Sequence, residues 1–227
     1  FLRNGVDGTL FTPGPRPRAL LERLRLPEDA FVLLTATRLH SEKRLDRTLR
    51  ALAQLRARVP SAVAILLGEG AERARLMALA HKLGIADAVR LPGAVPHHEL
   101  PDWYRLSDLV LSLLDRTNAS NPVVEAMACE CCVVARDVGA TGELVRDGET
   151  GVLLLPGQED RLAEQLAELA AAPERRAEIG RAARRLALHL CGSVRERMQR
   201  EVDIITAPAI VSVPQRAAAP ATAGVRG

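Results

Sequence analysis

The sequence predicts an α/β fold, a doubly wound parallel sheet of about six strands followed by C-terminal helices. Three observations predict it. Short apolar, β-branched runs recur through the first two thirds of the chain. Segments with helical apolar spacing separate them, and that alternation implies parallel strands joined by right-handed crossovers. The runs are continuous rather than alternating, as expected of strands buried on both faces.

The predicted strands are Phe31–Thr37, Ala62–Leu67, Ala88–Leu91, Leu109–Leu113, Val133–Arg136 and Gly151–Leu155. Between the first two, Leu45, Leu49, Leu52 and Leu55 form a stripe at helical spacing. A helix over Ala71–Leu83 comes next, with Gly84 as its stop signal. A short helix around Leu100–Leu106 precedes the fourth strand, and one starting near Pro122 precedes the fifth. In that start, Asn121 is read as the N-cap and Pro122 as the first helical residue. A short helix near Thr141–Val145 leads to the sixth strand, and Arg161–Ala171, Arg175–Leu190 and Ser193–Ile205 read as helices. The chain divides into a connecting segment at 1–15, a folded domain at 16–206 and an Ala/Pro-rich tail at 207–227, expected to be disordered.

Composition narrows the function. With 48% hydrophobic and 26% charged residues, the chain reads as a globular domain. The net charge is +3, with the basic residues spread over helical segments, so they are read as solvated faces rather than a nucleic-acid surface. One Trp, one Tyr and three Phe are too few for base-stacking platforms. No apolar stretch approaches the roughly 20 residues of a membrane span. The chain opens at Phe1 without an initiator Met or a signal-peptide pattern, and is expected to be a portion of a longer protein. Cys129, Cys131 and Cys132 lack the paired spacing of a zinc site, and with Cys191 are expected to be reduced, buried thiols. His97-His98 lies in a polar loop without metal-ligand spacing and is expected to be a surface pair. Asn118-Ala119-Ser120 matches a glycosylation sequon and is read as chance.

In an open α/β sheet, ligands bind outside the carboxyl ends of the strands. Arg38, Gly68, Gly93, Asp115 and Gly139 all fall at or just after predicted strand ends. Arg38 and Lys43 come after the first strand, and the helix start at Asn121–Val124 offers open amides that attract anions. Together they describe a diphosphate site that needs no metal ion. Gly68-Glu69-Gly70 opens like a dinucleotide fingerprint, but position 73 is Arg73 and the acidic residue expected about 20 positions on is absent. A tight strand-to-helix turn beside a ligand is the better reading.

These residues resemble the C-terminal, donor-binding half of retaining GT-B glycosyltransferases of family 4, over roughly Asn4 to Arg200. Asn4-Gly5-Val6-Asp7, Phe11 and Pro13 look like the connector between the two halves of such enzymes. Gly68, Glu69 and Gly70 match the Gly-acidic-Gly turn, and Pro92, Gly93 and Val95 lie in the segment whose backbone usually meets the nucleobase. Pro122, Val123, Val124 and Glu125 match the helix of the Glu-x7-Glu motif. Gly139, Glu143 and the run Asp147–Gly151 match the family's pattern on the C-terminal side of that helix.

The resemblance implies a Rossmann-like domain and a glycosyltransferase that uses a nucleotide diphosphate sugar without any cofactor or metal. Arg38 and Lys43 would stabilise the charge on the leaving diphosphate, and Glu125 would take the ribose hydroxyls. The first Glu of the motif is replaced by Thr117, leaving sugar contacts to Thr117, Asn118 or Asn121. Glu130 and Cys132 replace the usual Gly and Pro and are read as packing changes. The acceptor, a glycan or lipid-linked sugar, would meet a missing N-terminal half, so the chain alone is expected to bind nucleotide without turnover. The expected location is cytoplasmic, at the inner membrane surface if the missing half associates with it. The competing readings are a non-catalytic nucleotide-binding or interaction module of the same fold and a sugar-nucleotide epimerase.

Overall fold

The computed structural model describes residues 5–116, 120–191 and 194–206. Thr117, Asn118 and the tail at 207–227 lie outside the described residues. Six parallel strands form one sheet: β1 (Phe31–Ala36), β2 (Ala62–Leu67), β3 (Val89–Gly93), β4 (Leu109–Ser112), β5 (Cys132–Arg136) and β6 (Val152–Leu154). Their order is β3-β2-β1-β4-β5-β6. The chain winds outward from β1 in one direction and, after crossing over, from β4 in the other, so the switch point lies between β1 and β4. All six predicted strands are present.

The helices are α1 (Arg18–Arg23), α2 (Leu45–Leu55), α3 (Arg73–Lys82), α4 (Leu100–Leu106), α5 (Asn121–Ala128), α6 (Thr141–Leu144), α7 (Leu162–Ala171), α8 (Pro173–Cys191) and α9 (Val194–Thr206). Helix α2 packs on β2, α3 and α7, whereas α5 packs on β4, β5, α4 and α8. Right-handed crossovers running in opposite directions put these two groups on opposite faces of the sheet. Every residue of β1 and β2 is buried, which explains why those strands read as unbroken apolar runs. Within the described residues no helix is long and apolar enough to cross a membrane.

Two helix ends differ from expectation. Asn121 is the first residue inside α5, and the cap position is Ser120, whose side chain makes no capping hydrogen bond. The helix starts one residue earlier because the carbonyl of Ser120, in extended backbone, already accepts from Val123 N and Val124 N. The far end of α5 closes in a Schellman arrangement: Glu130 N donates to Met127 O and Cys131 N to Ala126 O, both at 3.0 Å. Glu130 occupies the left-handed position, φ 62°, where glycine is normally found. The Gly-to-Glu replacement is therefore a matter of backbone conformation, not the packing change expected. A Glu130→Gly variant should be more stable by about 1 kcal/mol, since relief of the left-handed strain outweighs glycine's unfolded-state entropy. A lower urea midpoint than that of the parent would refute it.

The N-terminal segment is bound tightly to this domain. Val6 and Phe11 are buried in its core. Arg105 donates to Thr12 O at 2.9 Å and to Thr12 Oγ1 at 2.8 Å, and Arg184 donates to Phe11 O at 3.0 Å. All four cysteines are buried, and none forms a disulfide. Burial pushes the Cys129 and Cys132 thiols up to about 12, and Cys131 well above the usual thiol range, so all three stay protonated and inert.

Candidate functional site

Backbone hydrogen bonds stitch together the turns that leave β1, β2 and β3. Thr37 N donates to Leu67 O at 2.9 Å, Leu39 N to Glu69 O at 2.8 Å, and Gly68 N to Gly93 O at 2.9 Å. The approach is so close that a Cβ on Gly68 would sit inside the contact radius of the Thr37 carbonyl, and one on Gly70 inside that of Leu39. Glycine at 68 and 70 is thus required by the chain's own backbone.

A cleft of about 200 Å³ opens over these turns at the carboxyl edge of the sheet. Ala36 at the end of β1, Thr37 and Gly68 in the turns after β1 and β2, and Ala94 and Val95 after β3 form one wall. Tyr104 of α4, with Pro122 and Glu125 of α5, forms the other. Glu125 is its charged group, although only 8% of the residue is exposed. Its Oε2 accepts from the Tyr104 hydroxyl at 2.9 Å, and His97 Nε2 lies 3.1 Å from its Oε1. Burial, then the charge of Glu125 and the hydrogen bond to it, push the Tyr104 phenol well above its ordinary range, so Tyr104 remains a donor. Sequence reasoning singles out neither His97 nor Tyr104 as a site residue. Each comes from a turn or short helix far from Glu125 in the chain, and only the fold joins them.

A second, smaller cavity of about 20 Å³, room for about one water, lies at the switch point between the ends of β1 and β4. Lys43 lines it with Thr35, Thr37, Ser112, Ser120 and Pro122. The structure therefore brings Lys43 up to the start of α5, with its side chain 22% exposed and 3.4 Å from Glu42. Arg38 stands exposed in the turn after β1, unpaired with any acidic group among the described residues. Val123 also lines this cavity, while Val124 is buried in the core. The start of α5 is less open than expected: Val123 N and Val124 N are engaged by Ser120 O, and Pro122 has no N–H. Pro92 is exposed on β3, outside the lining of the larger cleft.

The arginines around Asp115 are internally matched. Asp115, just after β4, accepts from Arg44 at 2.9 Å, Arg47 at 2.8 Å and Arg136 at 2.7 Å. Glu159 takes a second contact from Arg136 at 3.2 Å, and Asp46 one from Arg44 at 3.1 Å. Burial raises the Asp115 carboxyl, but the hydrogen bonds and charges of Arg44 and Arg47 outweigh it and hold the group below the usual carboxylate range. Three arginines and three carboxylates thus cancel at the mouth of the β4–α5 connection, while Arg38 has no acidic partner among the described residues and Lys43 is paired with the more exposed Glu42 at 3.4 Å.

Comparison with known proteins bears on this geometry. The family model described as glycosyl transferases group 1 matches residues 18–186. D-inositol 3-phosphate glycosyltransferase 2 of Catenulispora acidiphila is 38% identical over 78% of this chain and 43% of its own length. A GDP-mannose-dependent alpha-(1-6)-phosphatidylinositol monomannoside mannosyltransferase of Mycolicibacterium smegmatis is 33% identical over 81% of this chain and 50% of its own. The chain spans about half the length of the curated relatives it matches. A crystal structure of Anabaena Alr3699/HepE in complex with UDP and glucose superposes with a TM-score of 0.82 at 26% identity, over 91% of this chain and 56% of that one. The six-stranded Rossmann-like sheet corresponds to one half of a GT-B glycosyltransferase. With the cleft on the edge of that sheet where such a fold binds its ligand, the chain belongs to the glycosyl transferases of group 1.

Proposed function

We propose that this chain is the donor-binding half of a retaining, metal-independent glycosyltransferase of family 4 that takes a nucleotide diphosphate sugar. The observation that carries the reading is the placement of Glu125 in the cleft at the carboxyl ends of β1–β3, next to the Lys43 cavity at the switch point. In this reading the ribose hydroxyls donate to Glu125, and the base lies along the Gly93–Val95 backbone. The diphosphate extends towards Lys43 and Arg38. As the anomeric bond breaks, negative charge grows on the leaving diphosphate, and the two cations stabilise it in the way a metal ion does elsewhere. The names of the relatives, one GDP-mannose-dependent, and the UDP bound by HepE support a nucleotide-sugar donor.

Residues 1–15 would serve as the connector and 16–206 as the donor domain. The acceptor, a glycan or lipid-linked sugar, would bind the half that the longer relatives carry beyond this match, with the reaction in the cytoplasm. Calorimetric titration with UDP, GDP and ADP should find one of them bound in the micromolar-to-millimolar range, with no sugar transfer by this chain alone. Failure of the folded chain to bind any of the three overturns the donor-site reading. Thr117, at the position of the motif's first Glu, favours a second reading, a non-catalytic module of the same fold. Thr117→Glu in the complete protein separates the two: sugar transfer gained or raised supports an enzyme, and continued inactivity supports the module.

A further inference from the structure

We propose that His97 and Tyr104 are positioning residues that clamp the Glu125 carboxylate from both sides and so set the protein's preference for ribonucleotides over deoxyribonucleotides. This rests on the reading of Glu125 as the ribose-binding group. An ionised carboxylate has two oxygens and about four lone-pair directions. Tyr104 occupies one direction on Oε2 at 2.9 Å, and His97 one on Oε1 at 3.1 Å. One direction on each oxygen is left, which is what a vicinal diol needs for two parallel hydrogen bonds.

Both clamps are themselves held. Tyr104 is fully buried. His97 comes directly after Pro96 in a 3-10 turn at His97–Glu99, and its ring meets Phe11 edge to face at a centroid distance of 5.2 Å. Phe11 is 1% exposed, so the His97 ring leans on a fixed wall even though its side chain is 63% exposed. Without the clamps, the carboxylate would have to be ordered when the ligand binds, and part of the gain from the diol would be lost to that ordering.

The test uses the 227-residue chain, the tightest-binding of UDP, GDP and ADP, and the 2′-deoxy form of that same nucleotide. The parent should prefer the ribonucleotide by about tenfold or more, as expected for hydrogen bonds to a charged group. Glu125→Ala should abolish the preference. His97→Ala should cut it to about threefold or less, and His97→Gln, which restores a donor near the Nε2 position, should recover most of it. Tyr104→Phe should act like His97→Ala, provided its melting curve matches the parent's. If His97→Ala weakens both nucleotides equally and leaves their ratio intact, the clamp is refuted while Glu125 stands as the ribose group. If Glu125→Ala leaves the ratio unchanged, the ribose reading fails and takes the clamp with it.

Discussion

An Arg38→Ala, Lys43→Ala double variant is expected to lose at least about a hundredfold in affinity for a nucleoside diphosphate, with the parent nucleoside bound almost as before. Contacts between charged groups are worth about 1.5–3 kcal/mol each. Two at the low end, fitting for the exposed Arg38, make about 3 kcal/mol, or roughly a hundredfold. The neighbouring arginines should not compensate. Arg44, Arg47 and Arg136 are committed to Asp46, Asp115 and Glu159, and moving one towards the ligand would strand a carboxylate. Salt should separate the two contributions. The part due to Arg38 fades as ionic strength rises, and the part due to the more enclosed Lys43 persists. Calorimetry on the double variant and each single variant checks this. An equal loss for diphosphate and nucleoside would mean that the substitutions had disturbed the fold.

What can be read from the sequence is whatever has a period or a punctuation mark. The inner strands β1, β2 and β5 are legible because each is an apolar run buried on both faces, while the edge strands β3 and β6, only partly buried, are legible from their place in the strand-helix alternation. Helix α2 is legible because Leu45, Leu49, Leu52 and Leu55 sit on one stripe, and all four are buried. Helix α1, six residues between prolines with only Leu20 and Leu21 buried, carries too little pattern to see. The start of α5 is misplaced by one residue because Asn121 has the better capping chemistry, yet the backbone of Ser120 takes the position. The site is legible where a strand ends and a charge comes next, as at Arg38 and Lys43. The contacts of His97 and Tyr104 with Glu125 are not, since they join residues 28 and 21 positions apart through the packing of α4 on α5. No local pattern encodes that distance. Glu130 shows a subtler limit: the sequence reveals the exchange for glycine, and only φ reveals that the exchange strains the chain.

The turn at Gly68 should tolerate substitution least. Gly68→Ala is expected to cost about 3 kcal/mol of stability and to weaken nucleotide binding with it. Two penalties combine. At φ 143° any side chain is strained, at about 1–2 kcal/mol. The new methyl would also strike the Thr37 carbonyl, and overpacking against an immobile neighbour costs a further 1–3 kcal/mol or so. That carbonyl cannot retreat, because Thr37 N is bonded to Leu67 O and Gly68 N to Gly93 O, which lock the ends of β1, β2 and β3 together. Relief has to come from parting the turns that form the cleft wall, which ties the stability loss to the site. Gly157→Ala supplies the comparison: its φ is 88°, and nothing lies within 4 Å of the added methyl, so it bears the backbone strain alone. Urea unfolding should rank parent, Gly157→Ala and Gly68→Ala in falling order. Equal midpoints for the two variants would show that the Thr37 carbonyl yields freely, and the locked-turn account of the cleft would then be wrong.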